Sequence, residues 1–224
     1  MTLQAKLDAF KADFEAGKPP HNAPASTIEL MRRATAELIA SGAAQHALKA
    51  GNKAPSFRLN DHDENPVSLI DLRKRGPLVI SFYCGIWSPY CNMELQALEV
   101  AKPEFERLGA GLVAISPQTA RNSRKSIHQN RLTFPILSDT KGTVAAAFGL
   151  RFSLPDYLIE LYRGLTYDLP SFNDDPSWTL PMPARYIIGP DGIILYAEVN
   201  PDHTRRPEPD HMLPALRYAS ANVR

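Results

Sequence analysis

Cysteine is scarce in this chain: Cys84 and Cys91 are the only two among its 224 residues. A secreted chain of this length usually carries more cysteines or none, so we expect a reducing compartment and a cytoplasmic location. No stretch approaches the roughly 18 apolar residues that a membrane-spanning helix needs. Residues 1–17 mix acidic side chains among the apolar ones, which argues against a secretory signal.

Net charge is also nearly absent, since 25 Lys and Arg against 24 Asp and Glu leave +1. Nothing therefore favours a nucleic-acid or membrane partner. The chain has no Gly-x-Gly-x-x-Gly or phosphate-binding loop, and its six histidines show no metal-ligand spacing. We expect neither an organic cofactor nor a metal. What is present, 44% hydrophobic and 22% charged residues, is typical of a globular protein with a core.

The N-terminal residues are predicted to be helical. Apolar side chains recur there at helical spacing: Leu3, Leu7, Phe10 and Phe14. After a break at the paired prolines 19–20, Ser26 stands three residues before Glu29, a capping-box pattern that predicts the start of a second helix. Gly42 is placed to end that helix. We therefore expect a helical extension over residues 1–49 and a single domain over residues 50–224.

From Gly51 onward the pattern changes to alternating strands and helices. Strands are predicted at 77–83, 111–115 and 134–137, with a hairpin over 185–196, and helices after Cys91, at 118–130 and at about 208–222. Residues 151–182 lack periodicity and are predicted to form a long irregular connection. Two parallel strand–helix units followed by a hairpin and a helix predict an α/β sandwich around a mixed sheet.

The segment from Phe82 to Glu94 carries the chemistry. A buried strand ends, a short turn follows, and a helix begins near Cys91. The unpaired N–H groups and partial positive charge of a helix N-terminus stabilise a thiolate and lower the pKa of a cysteine. Ser88, three residues earlier, is placed to bond the sulfur or a free amide. The alternative is that Cys91 is a small buried hydrophobe without chemistry.

This segment resembles the active-site loop of the alkyl hydroperoxide reductase/thiol-specific antioxidant family, the peroxiredoxins. The family pattern is Pro-x-x-x-Thr/Ser-x-x-Cys after a strand ending Phe-Tyr. Ser88 and Cys91 match its last two positions, and Cys84 stands where proline is expected. A subgroup with a Trp-Cys-Pro-Tyr-Cys-Asn loop is matched by Trp87, Pro89, Tyr90, Cys91 and Asn92, with Ser88 in place of its first cysteine.

Weaker matches follow in order to the C-terminus, at residues 51–57, 115–118, 134–139, 183–186 and 202–209. The resemblance implies a thioredoxin-like three-layer sandwich with a mixed central sheet. Pro183 sits where such folds place a cis-proline, and also where peroxiredoxins place an arginine beside the thiolate. Arg185, Arg205 or Arg206 is expected to substitute, the alternative being that the last two form an exposed pair near Glu208.

The resemblance implies a thiol peroxidase in which Cys91 becomes a sulfenic acid on meeting hydrogen peroxide or an organic hydroperoxide. Ser88 would support the thiolate, and Cys84 is either inert core or the resolving cysteine. A pocket is expected around the sulfur: Trp87, Pro89, Tyr90, Pro183 and Arg185, with Tyr186 as a further flanking ring. The expected reductant is thioredoxin-like or a low-molecular-weight thiol, and a homodimer is compatible with the family. The rival hypotheses are a thiol–disulfide oxidoreductase and an inactive thioredoxin-fold binding module.

Overall fold

The structure, a computed structural model, describes residues 1–221. Its strands are β1 (Arg58–Asp61), β2 (Pro66–Ser68), β3 (Leu78–Phe82), β4 (Gly111–Ser116), β5 (Ile136–Ser138), β6 (Arg151–Ser153), β7 (Thr179–Pro181), β8 (Ala184–Ile188) and β9 (Ile194–Val199). Its helices are α1 (Leu3–Glu15), α2 (Ala25–Ala40), α3 (Leu69–Arg73), α4 (Pro89–Arg107), α5 (Ala120–Asn130), α6 (Thr143–Ala147), α7 (Asp156–Gly164), α8 (Leu169–Asn173) and α9 (Leu213–Ala221). Short 3₁₀ helices cover Ala43–His46 and Pro209–Met212. Residue 222, the predicted end of the closing helix, lies outside the described residues.

Seven of the strands form one mixed sheet in the order β2-β1-β5-β4-β3-β8-β9. The three central strands, β5, β4 and β3, run parallel, and the remaining pairs are antiparallel. All five residues of β3 are buried, as expected for a parallel strand that is covered on both faces. The predicted mixed sheet is confirmed.

Apolar side chains from the two faces of the sheet enter two separate cores. On one face α4 packs Leu95 and Leu98, both wholly buried and each contributing roughly 1.5–3 kcal/mol through removal from water. On the other face lie residues of α3 and α6. Helices on both sides of one sheet make the predicted three-layer α/β sandwich, which is confirmed. Tyr186 belongs to the second core, so the prediction that it flanks Cys91 is wrong.

Residues 151–182 are more regular than predicted. Strands β6 and β7 pair antiparallel as a separate two-stranded sheet, and α7 and α8 lie between them. Strands of three residues are too short to show a period of two, so the pattern could not reveal them. Strands β1 and β2, of four and three residues, were missed because they too are short.

The N-terminal residues form the two predicted helices. Leu3 and Leu7 of α1 pack against Tyr90 of α4. Helix α2 begins at Ala25 with Pro24 at the N-cap, so the predicted capping box of Ser26 and Glu29 is wrong. Gly42 follows the helix in the left-handed conformation that suits a helix end. No helix within residues 1–221 has the length and hydrophobicity needed to cross a membrane.

Candidate active site

The start of α4 positions Cys91. Ser88 is the N-cap, and its Oγ accepts a hydrogen bond from the Cys91 backbone N–H at 3.3 Å. Pro89 occupies the first turn, where its missing N–H leaves no helical bond unmade. Cys91 therefore lies in the first turn of a 19-residue helix, close to the partial positive charge of its N-terminus. The predicted placement of Ser88 and Cys91 is found in the structure.

The loop before the helix is held by Gln118, from the connection between β4 and α5, and by Asn92 of α4. Gly85 adopts a φ of +148°, and a Cβ there would lie 2.7 Å from the Trp87 Nε1, so the turn requires glycine. The Ile86 N–H donates to Gln118 Oε1 at 3.0 Å, and Asn92 Nδ2 donates to the Ile86 carbonyl at 2.7 Å. These bonds fix the path of the chain between β3 and α4.

The two cysteines lie against each other. Their Sγ atoms are 3.1 Å apart, and both are free thiols. Cys91 is fully buried, whereas 7% of Cys84 is exposed. The turn between β3 and α4 therefore folds the chain back so that a residue seven positions upstream faces the helix start.

A buried cluster of two arginines and one carboxylate lies beside the sulfurs. Glu94 of α4 accepts from Arg185 Nε at 2.8 Å and from Arg206 Nε. Arg206 Nη2 donates to Cys91 Sγ at 3.7 Å. Of the three candidate arginines, Arg206 is the one that contacts the sulfur. Arg205 is exposed, and the alternative of a solvated arginine pair is wrong for Arg206, which is 5% exposed.

These neighbours determine which sulfur ionises. The Cys84 thiol donates to the Cys91 sulfur, and the Arg206 charge and the Ser88 hydroxyl act in the same direction. Together they lower the pKa of the Cys91 thiol to about 6 although burial opposes ionisation. The hydrogen bond to Cys91 and burial raise the pKa of the Cys84 thiol. Both directions favour Cys91 as the sulfur that ionises and Cys84 as the one that keeps its proton.

Glu94 remains ionised within the same cluster. Burial favours its neutral acid, but the charges of Arg206 and Arg185 outweigh burial and hold the pKa of the Glu94 carboxyl below its usual range. The sequence-based predictions assigned Glu94 no role. Its spacing, three residues after Cys91 on one helix, places both side chains on the same face and was the available signal.

A cavity of about 900 Å³ opens beside Cys84, and the buried Cys91 is not among its lining residues. Its lining includes Cys84, Ser88 and four predicted pocket residues: Trp87, Pro89, Tyr90 and Pro183. Arg185, the fifth, does not line it, since its guanidinium is buried against Glu94 and the Pro207 carbonyl. Helices α1 and α2 supply another part of its lining. Within residues 1–221 the one cis peptide bond joins Pro19 to Pro20, so the predicted cis-proline at Pro183 is wrong.

A mixed sheet of thioredoxin type, with a cysteine of lowered pKa at the start of the helix that follows one of its central strands, is typical of a thiol oxidoreductase. A model of the AhpC/TSA family matches residues 50–197, which are 148 of the 224 residues, and the chain belongs to this family. The predicted thiol-dependent peroxidase function and peroxiredoxin class are confirmed.

Relatives and solved structures agree with this assignment. An inferred peroxiredoxin of Mycobacterium tuberculosis is 34% identical over 116 residues, covering 52% of this chain and 75% of that protein. A second relative is bcp of Haemophilus influenzae, also an inferred peroxiredoxin. It is 33% identical over 121 residues, covering 54% of this chain and 74% of that protein. The crystal structure of peroxidoxin BcpB from Mycobacterium tuberculosis superimposes with a TM-score of 0.61 at 25% identity, covering 79% of this chain and 99% of that one. Peroxiredoxin Q of Xanthomonas campestris, at 17% identity and a TM-score of 0.56 over 75% and 92% of the chains, shares the fold.

Proposed function

We propose that Cys91 is the peroxidatic nucleophile of a peroxidase that reduces hydrogen peroxide and organic hydroperoxides. The observation that carries this proposal is the contact of the Cys91 sulfur with the Arg206 guanidinium at the start of α4. The thiolate attacks the terminal oxygen of the hydroperoxide, and the oxygen–oxygen bond breaks. The product alkoxide or hydroxide takes up a proton and leaves as alcohol or water, and Cys91 becomes a sulfenic acid.

Negative charge moves from the sulfur to the departing oxygen during this step. The Arg206 guanidinium, the Ser88 hydroxyl and the N–H groups at the helix start are fixed in place before the reaction. Donors arranged in advance in a site that excludes water stabilise such developing charge without reorganisation. Glu94 and Arg185 act through Arg206, because the carboxylate holds that guanidinium and is itself held by Arg185.

Cys84 is the resolving cysteine of this mechanism. Its sulfur attacks the sulfenic sulfur of Cys91 as the Cys84 thiol proton passes to the displaced hydroxide, so that a disulfide forms and water leaves. The separation of 3.1 Å between the two sulfurs supports this step, since little movement is needed to reach the bond length of about 2.05 Å. The rival interpretation of Cys84 as inert core is weakened by that contact.

The cavity provides the approach for substrate and reductant. Its lining beside Cys84 consists of Trp87, Pro89, Tyr90 and Pro183. A hydroperoxide or a reducing thiol that enters the cavity therefore contacts these residues before it reaches Cys91. A cavity of this size and lining suits substrates that carry an apolar group. Attack of a thioredoxin-like protein or of a low-molecular-weight thiol on Cys84 Sγ would release the Cys91 thiolate as the leaving group of lower pKa.

The competing hypotheses are less well supported. A thiol–disulfide oxidoreductase with a Cys-x-x-Cys motif needs a second sulfur at position 88, where the chain has the helix-capping serine. A binding module without activity would have no reason to keep a thiolate paired with a buried guanidinium, since burying such charges is unfavourable.

Peroxide consumption by purified protein tests the proposal. With hydrogen peroxide and either dithiothreitol or a thioredoxin system, we expect turnover by the wild type and none by Cys91→Ser. Insulin reduction, measured in parallel, should be negligible. Peroxide turnover that survives in Cys91→Ser, or insulin reduction that exceeds it in the wild type, would contradict the assignment.

Several sequence-based expectations stay predictions. They are the cytoplasmic location, the possibility of a homodimer, and the lack of nucleic-acid, membrane, metal and cofactor partners. The division into an extension over residues 1–49 and a peroxiredoxin domain over residues 50–224 also stays a proposal. The family match, which begins at residue 50, supports it.

A further inference from the structure

The arginine that contacts Cys91 comes from an irregular segment. Residues 201–208, here called the tail, form turns and extended chain without a helix or strand, and they lie beyond the family match that ends at residue 197. A residue next to a strand is held by backbone hydrogen bonds of the sheet, but a residue of the tail needs other contacts to hold it.

Those contacts are made by helix α1, which is about 200 positions away in the sequence. The Arg206 backbone N–H donates to Gln4 Oε1 at 2.9 Å. The Glu208 carboxylate accepts from the backbone N–H groups of Leu3 and Gln4, both at 2.9 Å. These are two of the amides that a helix N-terminus leaves without an internal partner, and a carboxylate also suits the helix dipole there. Helix α1 thus contacts the tail at Arg206 and at Glu208, on the two sides of Pro207.

The same helix also packs against the nucleophile helix. Leu3 and Leu7 of α1 bury themselves against Tyr90, the residue before Cys91. The Phe10 ring meets the Tyr90 ring edge-on, with centroids 5.1 Å apart and an interplanar angle of 89°. Helix α1 therefore contacts the two segments that bring the Arg206 guanidinium and the Cys91 sulfur together.

We propose that α1 is a working part of the active site, in which Gln4 and Glu208 are positioning residues that hold Arg206 against the Cys91 thiolate. This rests on the proposed function of Cys91. The N-terminal extension supplies, by tertiary contacts, the support that the sheet gives to residues next to its strands. Loss of the hydrogen bonds that join α1 to Arg206 and Glu208 would let the tail move and would weaken the contact between the Arg206 guanidinium and the Cys91 sulfur.

The surroundings of Cys91 make this effect measurable. The titratable and charged groups that face its sulfur are Cys84, Glu94, Arg206, Tyr83 and Tyr162. Burial raises the pKa of both tyrosines, so they stay neutral, and Cys84 keeps its proton. An ionisation observed around neutral pH therefore reports on Cys91 and on its distance from Arg206.

The test compares Gln4→Ala and Glu208→Ala with the wild type in two measurements against pH: the ultraviolet absorbance of the thiolate and the rate of the first reaction with hydrogen peroxide. We expect the midpoint of both to rise by about one pH unit, so that the rate well below the midpoint falls about tenfold. Glu208→Gln, which keeps one carbonyl acceptor, should shift less. Asp13→Ala is the matched control, because it breaks an exposed ion pair with Lys18 on the same extension and should shift nothing.

Thermal unfolding of each variant shows whether Gln4 and Glu208 position Arg206 or only stabilise the fold. A variant that melts at a lower temperature but keeps the wild-type midpoint would overturn the proposal, as would a midpoint shift of equal size in Asp13→Ala. Failure of the underlying function would look different, since the wild type itself would then show no reaction with peroxide or no ionisation of Cys91.

Discussion

Replacing Arg206 gives the sharpest test of how the thiolate is stabilised. The Arg206→Met variant removes the charge and keeps most of the side-chain volume. Unit charges at the 3.7 Å separation of Arg206 Nη2 and Cys91 Sγ attract by about 4.5 kcal/mol at an effective dielectric constant of about 20. Glu94 sits on the same guanidinium and cancels part of this attraction. We expect a remainder of about 1.4–2.7 kcal/mol, which is about one to two pKa units.

The consequence is a rate loss that depends on pH. With the pKa of Cys91 at about 6 in the wild type, a rise of one to two units lowers the thiolate fraction at about pH 6 by roughly five- to fiftyfold. At about pH 9 most of this part of the deficit disappears. Any deficit that remains there reports the stabilisation of the departing oxygen by the guanidinium.

The assay is the single-turnover reaction with hydrogen peroxide, followed by intrinsic fluorescence across the pH range. Arg206→Lys is the matched control, because it keeps the charge and loses the forked geometry of the guanidinium. The pH midpoint of its reaction should lie between those of the wild type and Arg206→Met. Breaking a buried ion pair is destabilising by about 3–5 kcal/mol when a charge is left alone. Arg185 still pairs with Glu94 here, so we expect Arg206→Met to fold. A folded Arg206→Met protein with the wild-type pH midpoint would refute the role given to this arginine.

Three further predictions follow from the same site. Cys84→Ser should still react once with peroxide but accumulate Cys91 sulfenic acid, whereas the wild type should convert both thiols to a disulfide. Mass spectrometry of peptides distinguishes these products, and a wild type in which Cys84 stays free throughout would exclude the resolving step. Because the folded pKa of Cys91 lies below its unfolded value, the thiolate's contribution to stability is complete above about pH 8.5 and is lost as the pH falls through about 6. The free energy of unfolding of the wild type minus that of Cys91→Ser should therefore rise between these pH values, and a flat difference in urea titrations would contradict the assigned ionisation. Ala34→Trp, which fills part of the cavity from helix α2, should lower kcat/KM for cumene hydroperoxide while leaving the value for the smaller hydrogen peroxide nearly unchanged. An equal loss for both substrates would show that the cavity does not select substrate.

Local features of the site could be predicted from the sequence because they depend on neighbours a few residues apart. A buried strand, a turn containing Gly85, the capping Ser88 and a helix that begins beneath Cys91 all follow from preferences within one short segment. The order of strands and helices from residue 50 onward was likewise visible in periodicity. The prediction failed where elements were as short as three residues, as in β6 and β7, and at Pro183, whose peptide bond is trans.

The arginine that meets the thiolate was decided by tertiary structure alone. Arg206 stands 115 positions after Cys91, and nothing in the local pattern separates it from exposed Arg205. The packing of α1 on α4 and on the tail chooses between them, by burying one guanidinium against Glu94 and leaving the other in solvent. The chain by itself determined where a thiolate forms, since a helix start is a local event; which charge meets that sulfur depends on segments that become neighbours only when the chain has folded.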